Sequence, residues 1–330
     1  MAQGEPGRAS SVNTVHGPTY GPVFQAGTVQ GNVHVHHDTS PVHVVVPTTP
    51  DVRRSFGAGA RVRVGDREYL VHDHAVEESY SADAATLFRR GRVSALGGGG
   101  TTGWLRQVED RDDGWGGRAL AAEHDLLARG NAPEVVQFHR DDRTTTLVTS
   151  WPRDRAGRPC DSLDVLVDQT PDHPLRWCGA LAALCDALGA WHDLGVAHRG
   201  LAPAGIIVRD DGRAVPRDLG LAAHPARVGE HPGDHQAPEQ RGRSTRGPGP
   251  WTDVHQVASV VHLLLTGRPP TTGTPLPVRA WEPGVPEPLA TAVDACLAVD
   301  PPARPDVRWF GERLRAVHDR TGREEPSCAR

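Results

Sequence analysis

The order in which two hydrophobic periods occur along this 330-residue chain limits its fold more than any other feature. Between Val62 and Val148, short runs of β-favouring residues alternate with turns, which is typical of strands. Residues 119–130 within this stretch space their apolar side chains at helical intervals instead. After Pro171, apolar residues recur every three or four positions and predict long helices. Strands with a single helix, followed by helices, indicate an α+β fold with a small β-rich lobe and a large helical lobe.

The same periods set approximate bounds for the predicted elements. Strands are predicted in the segments RVRV, REYLVHD, TLFRRGRVSAL, GWLRQVED and TTTLVTSW. Helices are predicted at 119–130, 175–195, 253–266, 287–299 and 306–318. These elements define a folded domain at 56–325, with the small lobe at about 60–150 and the large lobe at about 151–320.

The first 55 residues are rich in Gly, Pro, Thr and His and end in the segment 47–50, which is typical of a linker. Within them, residues 21–37 alternate β-branched residues with polar or small ones, as one or two short strands do. The segment 23–27, VFQAG, resembles the amyloid-type homotypic motifs of some signalling kinases and bacterial immune proteins. That resemblance implies homo-assembly through residues 21–37, and a flexible tail with a transient hairpin is the alternative.

Composition excludes several classes of partner. The net charge of −5 creates no basic field, so we expect neither nucleic acid nor an anionic membrane as a partner. No apolar run approaches the roughly 20 residues that a spanning helix needs, and we expect a cytoplasmic protein. The five cysteines form no CxxC pair and are predicted to be reduced thiols.

The chain contains no lysine, because all 36 residues counted as Lys plus Arg are arginines. A GC-rich coding bias accounts for this composition. Any mechanism that depends on a lysine ammonium group is nevertheless closed to this chain.

The stretch 195–222, GVAHRGLAPAGIIVRDDGRAVPRDLGLA, carries the most specific motifs. It resembles the catalytic loop H-R-D-L-K-P-x-N and the metal-binding motif D-F-G of protein kinases. The corresponding residues here are HRGLAPAG, from His198 to Gly205, and DLG, which begins at Asp218. Together with the downstream motifs, the similarity extends over roughly 120 residues and implies a two-lobed, Ser/Thr protein kinase-like fold.

The resemblance also identifies which catalytic side chains are missing. Gly200 stands where the family has the aspartate that orients the attacking hydroxyl. Ala202 replaces the loop lysine, and Gly205 replaces the asparagine that holds the second magnesium ion. No catalytic residue is therefore expected in this loop. Asp218 remains as a candidate ligand for one magnesium ion.

On the small lobe, the family uses a strand lysine to bind the nucleotide phosphates and a helix glutamate to hold that lysine. Arg106 is the positional substitute for this lysine, and Glu123 is its candidate partner. An ordinary Arg–Glu pair on the surface of the sheet is the alternative. The expected cofactors are at most weakly bound ATP and magnesium. The glycine run 97–100 lies too close to Arg106 to cover phosphates and is interpreted as a hairpin turn.

Residues with architectural roles in the family are all present. They comprise His198 and Arg199 of the catalytic loop, Glu239 of the APE motif, the buried helix aspartate Asp253, and Arg304, which pairs with the APE glutamate. The activation segment 221–236 contains no Ser, Thr or Tyr, so Arg199 is predicted to make a structural contact instead of binding a phosphate.

Together these residues predict a pseudokinase that acts as a regulatory or scaffolding signalling protein through protein partners. Two alternatives remain open: an atypical active Ser/Thr kinase, and an assembly adaptor that acts through residues 21–37.

Overall fold

The computed structural model describes residues 56–324, except 73–75, 81–85, 98–100, 111–114, 129–132, 171–172, 232, 272 and 274. The chain from Arg54 onward forms one compact unit. The proposed assembly motif at 21–37 and the linker at 47–50 lie outside the described residues and stay predictions.

The small lobe is a seven-stranded antiparallel sheet with one helix. Its strands are β1 (Arg61–Val64), β2 (Arg67–Val71), β3 (Glu77–Tyr80), β4 (Thr86–Leu96), β5 (Thr102–Asp110), β6 (Val135–Arg140) and β7 (Thr144–Ser150), and its helix is α1 (Trp115–Leu127). The strand order is β1-β2-β4-β5-β7-β6, and β3 pairs with the first half of the long β4. Alternate side chains of β1 are buried, as the two-residue period requires.

The sheet curls until its first and last strands meet. Gln137 of β6 donates from Nε2 to the carbonyl oxygen of Val64 in β1 at 2.7 Å. The hydroxyl of Tyr69 in β2 donates to Oε1 of the same glutamine at 2.7 Å. These long-range bonds satisfy a half-buried amide and hold the sheet around a core of aliphatic and aromatic side chains.

The large lobe contains most of the helices. They are α2 (Leu163–Gln169), α3 (Cys178–Asp193), α4 (Pro250–Thr266), α5 (Val278–Trp281), α6 (Glu287–Cys296) and α7 (Val307–Glu324), with a small hairpin of β8 (Ile206–Val208) and β9 (Ala214–Pro216). Twelve of the 17 residues of α4 are buried, which makes it the central helix of this lobe. It ends at Gly267, which adopts the left-handed conformation (φ 70°) that glycine tolerates at a helix end.

The α+β, two-lobed prediction is confirmed, and the differences lie in element bounds and in several short elements that were not predicted. Helix α1 begins at Trp115 and not at Ala119, because Gly116 and Gly117 fit where a larger residue could not. A Cβ atom on Gly116 would lie 2.6 Å from Val108, and one on Gly117 would lie 2.7 Å from Thr145. Strands β3 and β6 and helix α2 were not predicted, since they are short and acquire their order from neighbouring elements.

Several smaller expectations can be compared with the structure. Strands β4 and β5 pair antiparallel with Ser94 opposite Thr102, and the predicted turn at 97–100 lies mostly outside the described residues and stays a prediction. The four described cysteines are buried and unpaired. In the part of the chain that the structure describes, no helix has the length and apolar character needed to cross a membrane.

Candidate functional site

The catalytic-loop segment is held in place by the N-terminal half of α4. Asp253 accepts hydrogen bonds from the backbone N–H of His198 at 2.8 Å and of Arg199 at 2.6 Å. The Nε2 atom of His192 lies 2.8 Å from the same carboxylate, which is fully buried. A buried carboxylate that accepts hydrogen bonds from two backbone N–H groups and contacts a third donor fixes the backbone of the loop.

Within this loop, the positions that would carry catalytic side chains are open. A Cβ atom on Gly200 would meet no heavy atom closer than 3.7 Å, and one on Gly205 would meet none within 4 Å. Neither glycine has a positive φ angle that would favour glycine. Sterics therefore do not require glycine at either position. The glycines remove catalytic side chains without relieving any clash.

Arg106 on β5 and Glu123 on α1 form a bidentate ion pair across the small lobe. Nη1 and Nη2 of Arg106 each donate to a different oxygen of Glu123 at 2.5 Å. The Glu123 side chain is buried and that of Arg106 is only 14% exposed, so the pair is not the surface contact that was the alternative interpretation. Burial alone would lower the pKa of Arg106, but the carboxylates of Glu123 and Asp218 outweigh it and raise that pKa. Arg106 is thus a permanent, largely buried cation beside Asp218.

Glu123 also reaches the large lobe. Its Oε1 atom accepts a hydrogen bond from the backbone N–H of Leu219, at 3.2 Å. The structure therefore brings together the three residues that the sequence nominated for nucleotide and metal, namely Arg106, Glu123 and Asp218.

Asp218 already has cationic and hydrogen-bonding partners from the chain itself. It accepts hydrogen bonds from the N–H of Gly220 at 2.9 Å and from Nε of Arg217 at 3.2 Å. His198 lies 3.9 Å away. Burial alone would raise the pKa of Asp218, but Arg217, Arg106 and His198 hold it well below its usual range. The carboxylate is therefore ionised and neutralised by guanidinium groups.

Arg217 lies across the cleft and does more than pair with Asp218. Its guanidinium carbon lies 4.1 Å from the centre of the Trp104 ring, a cation–π distance. Its Nη1 atom donates to the carbonyl oxygen of Ala204 at 3.0 Å. One side chain thereby connects Asp218, the catalytic-loop backbone and strand β5.

Trp104 fills the space on the other side of Arg217. It precedes Arg106 by two residues on β5, so both side chains leave the same face of the sheet. The indole is fully buried, and its centre lies 5.9 Å from that of Trp151. Cys160 and Ile207 complete a separate hydrophobic cluster at this point. The region beside Arg106 is thus packed with protein side chains.

These residues do not fit magnesium ATP as they stand. Both oxygens of Asp218 already accept a hydrogen bond, one from Arg217 and one from Gly220, and Gly205 offers no side-chain oxygen for a second ion. Trp104 packs the strand face next to the phosphate-binding position. No group of three or more His, Cys, Asp or Glu suited to a metal ion occurs in the described portion of the chain.

Arg199 makes a structural contact in this fold. Its Nη1 atom donates to Glu230 at 2.9 Å, and Nη2 donates to the carbonyl oxygens of Leu221 and His224. The Arg199 and Glu230 side chains are both buried. Glu230, which the sequence reasoning missed, lies on the activation segment and supplies there the negative charge that a phosphate supplies in phosphorylated kinases.

A second buried ion pair, between Arg304 and Glu239, lies inside the large lobe. Arg304 donates from Nη1 and Nη2 to Glu239 at 2.8 and 2.9 Å, and neither side chain has measurable exposure. Thr252 at the start of α4 donates its hydroxyl to the same carboxylate at 2.7 Å. Every oxygen of Glu239 therefore has a partner, as a buried charge requires.

The histidines that could replace the missing base are poorly suited to it. Burial, together with the charges of His198 and His235, lowers the pKa of His231 to about 4. His235 is buried with its Nδ1 atom 2.8 Å from the hydroxyl of Ser259. A base with so low a pKa accepts a proton weakly at neutral pH.

Comparisons with known proteins agree with this fold. The chain is 31% identical over 181 residues to the serine/threonine-protein kinase PkaA of Streptomyces coelicolor, which covers 48% of this chain and 32% of PkaA. It is 28% identical over 164 residues to the serine/threonine-protein kinase PknB of Mycobacterium tuberculosis, which covers 43% of this chain and 26% of PknB. The chain thus spans a third or less of these curated relatives. No protein-family model matches it.

Among solved structures, the PknI kinase domain of Mycobacterium tuberculosis matches with a TM-score of 0.53 and 20% identity. The match covers 79% of this chain and 98% of that domain. The resemblance predicted from the sequence is confirmed: the chain is protein kinase-like, with the two-lobed protein-kinase fold.

Proposed function

We propose that the chain is a pseudokinase, a kinase-like protein with impaired phosphotransfer that regulates or scaffolds signalling by binding protein partners. The observation that carries this proposal is the position of Arg217, which pairs with Asp218 and stacks on Trp104 inside the cleft. The candidate magnesium ligand is thus paired with a cation of the chain itself, and that cation is packed on an aromatic ring.

The catalytic loop supports the same proposal. Loss of a positioned base costs about 10²- to 10⁴-fold in rate, and Gly200 has no side chain to provide one. The losses at Ala202 and Gly205 act on the same transition state and do not simply multiply. A protein with all three changes has little left to accelerate phosphoryl transfer.

The activation segment also favours a scaffold. Glu230 holds Arg199 through a carboxylate that is part of the sequence, so the contact needs no phosphorylation. Residues 221–236 contain no Ser, Thr or Tyr. A surface that keeps one conformation is suited to constant recognition by a partner.

Nucleotide titration tests the proposal. A ligand at ten times its Kd stabilises a protein by about 1.4 kcal/mol, which is a few degrees in Tm for a domain of this size. We expect millimolar ATP with magnesium to leave the Tm of the wild-type chain unchanged and to raise that of Arg217→Ala. Arg213→Ala is the matched control, because Arg213 is exposed on the turn between β8 and β9.

Phosphotransfer is measured on the same proteins. Steady phosphate incorporation into a substrate by the pure wild-type chain, abolished in Asp218→Ala, contradicts the pseudokinase proposal. A rise in wild-type Tm equal to that of Arg217→Ala contradicts the role assigned to Arg217.

One observation favours a second candidate, a nucleotide-binding switch or atypical kinase. The Arg106–Glu123 pair is formed, and in the kinase family the equivalent pair accompanies a competent phosphate site. This candidate requires Arg217 to leave Asp218 when nucleotide enters. It predicts that ATP and magnesium protect the wild-type cleft, including the amide of Leu219, from hydrogen exchange.

Homo-assembly through residues 21–37 is proposed as a separate means of binding a partner. In-register stacking would ladder Gln25, Gln30 and Asn32 and bury the intervening valines. A peptide of residues 21–37 that stays monomeric and unstructured at high concentration rules this out, and fibrils with a cross-β spacing support it.

A further inference from the structure

A cleft with both polar and apolar lining lies on the large lobe where the activation segment ends. It occupies about 360 Å³, including the part open to solvent. The residues that line it include Gln236, Arg241 and Arg243, His255 of α4, and Thr271 from the segment after α4. The residues nominated for phosphotransfer do not line this cleft, so it belongs to a different site.

Positive charge predominates around the cleft. Among the described residues that line it, Asp234 is the one acid, and it is exposed, whereas two arginines contribute. Arg241 donates from Nε to the carbonyl oxygen of Gln236 and from Nη2 to that of Gly233, both at 3.2 Å. These acceptors are neutral, so they orient the guanidinium without cancelling its charge.

Arg241 lies close enough to Arg243 for the two positive charges to repel. Burial and the neighbouring charge of Arg243 lower the pKa of Arg241, and Asp234 only partly opposes them. Arg246 is exposed and lies over the ring of Trp251. The segment 241–246, RGRSTR, contains three arginines, of which Arg241 and Arg243 line the cleft.

His255 is a second, independent observation. Its side chain lines the cleft, the residue is only 5% exposed, and its Nδ1 atom has no hydrogen-bond partner among the described residues. Burial, followed by the charges of Arg304, Arg241 and His235, places its pKa well below the usual range. A buried polar atom without a partner is uncommon, because a group removed from water is normally hydrogen-bonded.

The geometry points to an oxyanion-binding site, in which Arg241 and Arg243 hold a carboxylate or phosphate group carried by a peptide segment of a protein partner and His255 lies behind it. Guanidinium groups bind both anions in a bidentate manner, and an anion neutralises the net positive charge of the residues that line this cleft. The inference goes beyond the proposed function and does not depend on whether the chain transfers phosphate.

The test uses the full chain and three peptides of one sequence that carry serine, glutamate or phosphoserine at one position, with inorganic phosphate as a fourth probe. Calorimetric titration at fixed ionic strength measures binding, and NMR follows the imidazole of His255. We expect phosphoserine or glutamate to bind more tightly than serine and to raise the pKa of His255.

Arg243→Gln is the main variant, because Arg243 lines the cleft and is exposed, and its Tm is compared with that of the wild type before binding is measured. We expect it to weaken binding of the anionic peptide by about tenfold, the loss typical of a charged hydrogen bond. Arg213→Gln, which removes an exposed arginine elsewhere on the same lobe, is the control for net charge.

Each outcome decides the inference. Tighter binding of phosphoserine identifies a phosphopeptide as the source of the anion, and tighter binding of glutamate identifies an acidic peptide. Equal binding by the serine peptide, equal losses in Arg243→Gln and Arg213→Gln, or an unchanged His255 titration with all four probes overturns it. None of these readouts involves ATP, so failure here is distinguishable from failure of the pseudokinase proposal.

Discussion

Two regions of the large lobe differ in which side chains they keep. They are the framework of buried ion pairs and the catalytic loop that it supports. The framework keeps complete buried pairs, Arg304 with Glu239 and Arg199 with Glu230. The loop, a few residues away, has no side chain beyond Cβ at positions 200, 202 and 205. Removing one partner of a buried pair leaves an uncompensated charge, whereas removing a catalytic side chain costs the fold nothing. The two regions differ because the framework side chains are needed for stability, whereas the loop side chains are needed only for catalysis.

The largest effect that sharpens this comparison is expected in the framework. Glu239→Ala leaves Arg304 buried without its carboxylate and should lower the free energy of unfolding by about 3–5 kcal/mol. Urea denaturation measures it. Glu287→Ala is the control, since Glu287 is 79% exposed and lies 3.8 Å from Arg279, and it should change stability by less than about 1 kcal/mol. Equal effects of the two substitutions would show that the buried pair contributes no more to the free energy of unfolding than the exposed pair does.

A smaller effect is expected from Glu230→Gln, which keeps the shape of the side chain and removes its charge. The hydrogen bonds to Arg199 weaken, and the free energy of unfolding should fall by about 2 kcal/mol. Because Glu230 also contacts the backbone N–H of Arg227, limited proteolysis should cut residues 221–236 faster. An unchanged cleavage rate contradicts the claim that Glu230 fixes the activation segment.

Acid should destabilise the fold through its buried histidines. The pKa of His231 is about 4 in the folded chain and about 6.5 when unfolded, so the unfolded state binds the proton first. Stability from His231 is therefore complete above pH 6.5 and is lost between pH 6.5 and 4, by about 1 kcal/mol at pH 5 after solvent screening. Urea midpoints at pH 7, 6 and 5 measure this loss, and the slope should be shallower in His231→Asn.

The smallest stability effect is expected when the catalytic loop is restored. The triple variant Gly200→Asp, Ala202→Lys and Gly205→Asn places family side chains where a Cβ atom meets nothing closer than 3.7 Å at either glycine. Its free energy of unfolding should stay within about 1 kcal/mol of the wild type. It should remain inactive while Arg217 pairs with Asp218, and adding Arg217→Ala should permit nucleotide binding. Phosphotransfer by the triple variant alone would show that the loop substitutions account for the whole loss of activity and that Arg217 does not prevent it.

The framework was the easier part to predict because its residues belong to motifs with fixed spacing. Asp253, Glu239 and Arg304 could be named from the sequence, and the structure places each in a buried contact. Arg106 and Glu123 were also found, since one lies on a strand and the other on the helix that follows it. Short elements such as β3 and β6 were missed, because their order depends on pairing with β4 and β7.

By itself, the sequence determined which chemistry is absent: a side chain that is not encoded cannot be supplied by folding, so Gly200, Ala202, Gly205 and the lack of lysine were decisive. Only the tertiary structure decided what replaced it. Arg217 meets Trp104, 113 positions earlier, and Arg199 meets Glu230, 31 residues later. Such contacts depend on how distant elements pack, and no local spacing encodes them.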